Sequence, residues 1–96
     1  MDFCEYQLKA NKTDQVPGKG EKSIVVPLLG LAGEAGSLLT EYKKRFRDGS
    51  AYRVFSERIA EELGDILWYV ANIATKAKLT LEDIAQNNLT KTHDRW

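Results

Sequence analysis

Glu61, Glu62 and Asp65 crowd into the stretch EELGDILWYV (residues 61–70), directly ahead of the apolar run Ile66, Leu67, Trp68, Tyr69 and Val70. Like charges three and four residues apart repel on a helix, so this crowding asks for a positive partner. At about 100° per residue, Glu62, Asp65, Tyr69, Asn72 and Lys76 fall within a sector of about 80°. Earlier in the chain Glu34, Ser37 and Glu41 form a second polar line, beside the apolar row Leu31, Ala35, Leu38 and Tyr42. Carboxylates converging from facing helices are how helical bundles build sites for hard divalent cations. Mg²⁺ takes oxygen ligands, keeps several waters, and is often shared between a few carboxylates and a substrate phosphate. Acids at i, i+3 are also common on solvated faces, where Lys43, Lys44 and Arg45 would balance them through weak surface pairs. Two acidic lines, helical glycines and the adjacent Trp68-Tyr69 pair strengthen the metal reading beside the solvated one.

The elements that must carry these lines are all helical. Residues 2–12 suit a short helix with Phe3, Tyr6 and Ala10 on one face. TDQVPGKGEKS, residues 13–23, is rich in Gly, Pro and polar residues and reads as a loop. Pro27 fits the first turn of the next helix, where its missing N–H costs little, and RDGS at 47–50 is a stop signal. A third helix is predicted over 53–78 from the repeat of Ile59, Leu63, Ile66, Leu67, Val70, Ile73, Ala74 and Ala77. Thr80 is a candidate N-cap, with Asp83 three residues on, for a short fourth helix over 81–91. The expectation is an all-α fold in which two long antiparallel helices pair through a short turn and two short ones accompany them. If the apolar stripes of the long pair meet, the two acidic lines border one groove.

Such a set leaves a thin core, and amphipathic helices of this kind complete a four-helix bundle by self-association. A homodimer or homotetramer is therefore expected. With 96 residues the chain makes one domain, residues 1–96, 43% hydrophobic and 29% charged, as ordinary globular domains are. Fourteen basic residues balance fourteen acidic ones, which gives no support for binding nucleic acid through bulk charge. No continuous apolar run approaches the roughly 20 residues of a membrane span. One cysteine, Cys4, excludes an internal disulfide, and a cytoplasmic setting is the simplest. Gly30, Gly33, Gly36 and Gly64 fall inside predicted helices, each at a cost of about 0.8–1.0 kcal/mol relative to alanine; close helix approach, or room for a ligand, would justify them.

GLAGEAGSLLTEYKK (residues 30–44) followed by EELGDILWYVANIA (61–74) resembles the MazG-like family of all-α nucleoside triphosphate pyrophosphohydrolases, and YQLKANKT and NLTKTHDRW resemble its flanking segments. The family's hallmark is a Glu-x-x-Glu pair on one helix and a Glu-x-x-Asp pair on the next. Glu62 and Asp65 match the second pair and Glu34 the first member of the first; Ser37 stands where the family usually has glutamate. The resemblance implies hydrolysis of a nucleoside triphosphate to the monophosphate and pyrophosphate with Mg²⁺, or Mn²⁺ as a substitute, on Glu34, Glu62 and Asp65. Glu61 and Glu41 are candidates for the base that orients the water. Lys91, Asn88 and Arg95 match the family's C-terminal segment and are expected on the phosphates, as is Lys44. Trp68 or Tyr69 is expected to stack on the base, and Asn72 to bond a base edge or sugar. Ser37 keeps a second function open, a catalytically weakened module that binds a nucleotide or a protein.

Overall fold

A computed structural model describes residues 1–95; Trp96, counted in the C-terminal segment above, lies outside the described residues. Four α-helices, α1 (Phe3–Lys12), α2 (Glu21–Asp48), α3 (Phe55–Lys76) and α4 (Leu81–Arg95), follow one another with no strand among the described residues. A single 3₁₀ turn, Gly49–Ala51, links α2 to α3.

The ends of the helices are fixed by local chemistry. Asp2 caps α1 by accepting from the Glu5 N–H at 2.8 Å. Gly49, at φ +59°, closes α2, a backbone state that suits glycine and that the stop signal at 47–50 anticipates. α3 ends with Lys78 at φ +61°. There the Leu79 N–H reaches the Ala74 carbonyl at 2.9 Å and the Lys78 N–H reaches Thr75 at 3.1 Å, the paired bonds of a Schellman motif. Thr80 then starts α4 as expected, its hydroxyl accepting from the Asp83 N–H at 3.2 Å. Gln7 stitches this junction to α1: its amide nitrogen donates to Thr75 Oγ1 and the Leu79 carbonyl, and its oxygen accepts from the Leu81 N–H.

Several boundaries differ from expectation, among them those of α3, which spans Phe55–Lys76 rather than 53–78. α2 begins at Glu21, so Pro27 sits inside it rather than in its first turn. The proline forfeits one bond, to the Ser23 carbonyl, close to the N-terminal end, where few bonds depend on it. The loop therefore shortens to residues 13–20. α4 runs on to Arg95 instead of stopping near 91.

The fully buried apolar set is small: Ala10, Ala71, Ala74 and Leu81, with Tyr6, Trp68 and Val70 packed against it where α1, α3 and α4 meet. α2 packs on α3 alone to any extent. The apolar stripes of the hairpin meet only in part. Tyr42 packs edge-on against Phe55, with ring centroids 5.1 Å apart, but Leu28, Leu63 and Leu67 stay exposed, Leu39 is 72% exposed and Phe46 82%. The face of α2 that is withdrawn from solvent mixes apolar and polar residues, Pro27, Leu31, Glu34, Ser37, Leu38 and Glu41. By length and composition the stretch Glu21–Ala51 is apolar enough to cross a membrane, though no continuous apolar run is that long. Its helical register gathers Leu28, Ala32, Ala35, Leu39, Tyr42 and Phe46 at spacings of four and three on one side, with Glu34 and Glu41 on another, the pattern of an amphipathic rod.

Candidate metal centre

Glu34 comes from the middle of α2 and Glu62 and Asp65 from successive turns of α3. Their carboxylate oxygens lie within 4.8 Å of one another. For comparison, opposite oxygens around Mg²⁺ are about 4.2 Å apart at its usual bond length. Glu34 and Glu62 are half-buried and Asp65 is exposed, so the cluster opens to solvent on the Asp65 side.

Nothing cationic sits among these acids in the described residues, and two consequences can be read off. A hydrogen bond with Glu62 pushes the Glu34 pKa up to about 7, helped by burial and by the charges of Glu62 and Asp65. That bond requires a shared proton, and the buried Glu62 Oε2 has no hydrogen-bond partner among the described residues. An uncompensated carboxylate oxygen of this kind is costly. A divalent cation fits both observations, because it replaces the shared proton and occupies the orphaned oxygen.

Glycines bring the helices together here. A Cβ on Gly30, one turn before Glu34, would overlap the Tyr69 ring, so a larger residue at that level requires the ring to move or the helices to part. Gly33, Gly36 and Gly64 have no neighbour within 4 Å of such an atom; the expectation of close approach holds at Gly30 alone, and open space lies beside the other three.

Several expected participants are placed elsewhere. Glu41 is buried, accepts from the Tyr52 hydroxyl, and lies 3.6 Å from Lys44. Its helical rise sets it about 10 Å along α2 from Glu34, and neither it nor Lys44, which also lies over the Tyr52 ring, joins the cluster. Glu61 is exposed and pairs with Arg58 at 3.4 Å, one residue from Glu62 but outside the cluster. Ser37 is half-buried, one turn beyond Glu34 on the same helix. Asn88, Lys91 and Arg95 lie on α4, which packs mainly against α1, and all three are exposed.

Beyond the acids, the same line of α3 is tightly bonded. Trp68 Nε1 donates to Thr13 Oγ1 at 2.7 Å, and its ring meets Tyr69 edge-on at 5.1 Å. The buried Lys76 ammonium donates to Asp14 at 2.6 Å and to the Val16 carbonyl at 2.9 Å. Burial alone would raise the Asp14 pKa; the Lys76 hydrogen bond, the Val16 N–H and the Lys76 charge outweigh it and hold the carboxyl below its ordinary value. This pairing was not foreseen, because Asp14 lies more than sixty residues away in a Gly/Pro-rich segment without periodicity.

With the geometry described, similarity to known proteins can be stated. Residues 27–96 match the MazG nucleotide pyrophosphohydrolase domain. A relative, the Gene 37 protein of Mycobacterium phage L5, is 35% identical over 96 residues, covering 94% of this chain and 84% of that protein. No solved structure matches the chain. The matched segment contains both arms of the acidic cluster and most of the helical fold, and on that ground the chain belongs to the MazG nucleotide pyrophosphohydrolase family.

Proposed function

We propose that this protein hydrolyses nucleoside triphosphates between the α and β phosphates, releasing a nucleoside monophosphate and pyrophosphate. The reading rests above all on the convergence of Glu34, Glu62 and Asp65 with no protein cation among them in the described residues. These three carboxylates would hold Mg²⁺, or Mn²⁺ in its place. The ion supplies polarisation of phosphoryl oxygens and a water of lowered pKa. Carboxylates alone would repel a triphosphate, so the acids serve to orient the charge that receives it. Glu61, exposed beside Glu62, is the acid best placed to accept a proton from the attacking water. Lys91, Asn88 and Arg95 are suited to phosphate oxygens, and Trp68, Tyr69 and Asn72 to the nucleoside. In a cell this chemistry serves cleansing of the nucleotide pool or control of nucleotide levels.

Association of chains belongs to the same proposal. The radius of gyration is 15.7 Å, against about 12.5 Å for a compact domain of this length. The accessible surface is 7219 Å², roughly 1,700 Å² more than a folded monomer of this mass exposes. That excess is on the scale of what one partner gives up in a large obligate interface. The stripe from Leu28 to Phe46 on α2 is the natural surface, and a homodimer or homotetramer is the expected form.

Pyrophosphate release from a panel of triphosphates, measured with Mg²⁺, with Mn²⁺ and with EDTA, tests the activity; no release with any substrate and either metal overturns it. Ser37 favours one second reading, a module that binds nucleotide and turns it over poorly. Ser37→Glu decides between the two: a gain of roughly tenfold in Mg²⁺ affinity, from one added carboxylate ligand, together with faster turnover marks the serine as a lost ligand.

A further inference from the structure

Two turns beyond Asp65, a cavity of about 60 Å³ opens between the hairpin and the segment that follows α1, lined by Val16, Val26, Pro27, Trp68, Tyr69 and Asn72. Asn72 is 1% exposed and its Oδ1 has no hydrogen-bond partner among the described residues. The orientation of its amide is fixed. Nδ2 donates to the Trp68 carbonyl at 3.1 Å, and a flipped amide would set two carbonyl oxygens against each other. An acceptor is therefore held, unpaired, on a residue that lines the cavity, a state that a donor brought by a ligand would relieve.

Several donors around this space are already engaged. Trp68 Nε1 is given to Thr13, one N–H of Gln15 Nε2 to the Thr13 carbonyl, the Val16 N–H to Asp14, and the Lys76 ammonium to Asp14 and Val16. Tyr69, whose hydroxyl can donate or accept, also lines the cavity. At Asn72 Oδ1 itself a ligand edge that brings an N–H is welcome, and one that brings a carbonyl sets oxygen against oxygen. The volume, about that of two liquid waters, suits the polar edge of one ring rather than a whole nucleobase. Helical rise sets Asn72 about 10 Å from Asp65, a distance of the order that separates the α-phosphate of a nucleotide from the far edge of its base.

We infer that Asn72 is a specificity-determining residue, its Oδ1 accepting from the exocyclic amino group of a base, so that amino-bearing nucleotides (cytosine or adenine) are preferred over those with a carbonyl there. This rests on the nucleotide reading above and names the substrate class within it.

The test compares matched pairs of triphosphates, cytosine against pyrimidin-2-one and adenine against unsubstituted purine, together with uracil. In the wild-type protein with Mg²⁺, at least one amino-bearing base should exceed its amino-deleted partner by about 10- to 100-fold in kcat/KM, and Asn72→Ala should close that gap. The same pairs are titrated as monophosphates without metal, by calorimetry, reading the ratio of Kd values. A gap in binding with no turnover of any triphosphate would sink the hydrolase reading and keep this one. Equal behaviour within both pairs, a gap that survives Asn72→Ala, or a preference for uracil over both amino-bearing bases would overturn it. Should Asn72→Ala fail to fold, the wild-type ratios alone decide.

Discussion

One polar line of α3 carries two arrangements of charge that differ in every respect that matters. Near the start of the helix, Glu62 and Asp65 face another acid, Glu34, and the group keeps an oxygen unpaired and a pKa of about 7. Three turns on, Lys76 faces Asp14 in a buried pair at 2.6 Å, with the Val16 carbonyl taking a further bond. The second arrangement is complete within the chain and holds the segment after α1 against α3. The first leaves charge and an oxygen without a protein partner among the described residues. Balanced charge marks a structural tie, and the charge left over is what the proposed metal would answer.

Breaking each arrangement should have different consequences. The largest effect is expected at the acids: Glu62→Ala or Asp65→Ala should lower the rate of pyrophosphate release by about a thousandfold or more, the several kcal/mol a metal contributes, with the helical circular dichroism unchanged. Wild-type rates in both variants would mean the acids do not hold the ion. Lys76→Met should act the other way round, on stability first. It leaves the Asp14 carboxylate buried and uncompensated, which costs about 3–5 kcal/mol, read as a lower midpoint in urea. A loss under 1 kcal/mol would remove the distinction between the two ends.

The pH responses should be opposite in sign. Glu34 binds its proton more tightly in the folded protein than at its ordinary value of 4.5. Its contribution to stability is therefore present below 4.5 and lost as pH rises through about 7. In EDTA, melting between pH 5 and 8 should register a loss of about 1 kcal/mol, allowing for solvent screening at this half-exposed group. Mg²⁺ should abolish it. Asp14, with its value lowered from 3.8, contributes stability above 3.8 that disappears as pH falls through the lowered value. An EDTA sample whose stability stays flat from pH 5 to 8 would argue against the shared proton.

The smallest effect sharpens the comparison by lying outside it. Lys78→Gly relieves a left-handed non-glycine residue at the end of α3 and should stabilise the fold by about 0.5–1 kcal/mol, with turnover untouched. A change in turnover there would mean that the site feels the end of α3.

Much of this was legible in the residues, for reasons that can be stated. Ile59, Ile66, Val70 and Ile73 repeat with helical period, so α3 was visible, and Thr80 announced α4 through its cap. Helical angles made two acidic lines visible, one with Glu34 and Glu41 and one with Glu62 and Asp65, and the family resemblance narrowed them to Glu34, Glu62 and Asp65. Pro27 misled, since a proline is usually read as a helix start and here one lost bond is tolerated further in. Glu41 misled too. It shares a line with Glu34, but Tyr52, which engages it, lies across a turn whose path no periodicity predicts. The apolar row on α2 was read as Leu31, Ala35, Leu38 and Tyr42; Leu31 and Leu38 are indeed half-buried, while Leu39 and Phe46 on the neighbouring side stay in solvent, an outcome of packing that periodicity alone does not fix.

The contact of Gly30 with Tyr69 carries a consequence for the whole molecule. A single absent methyl group, one turn from Glu34, acts as the fulcrum on which two long levers rest. Any side chain there has to displace the Tyr69 ring or move the rods, one turn from the level where three carboxylates meet, so the spacing of those oxygens answers to a residue that never touches them.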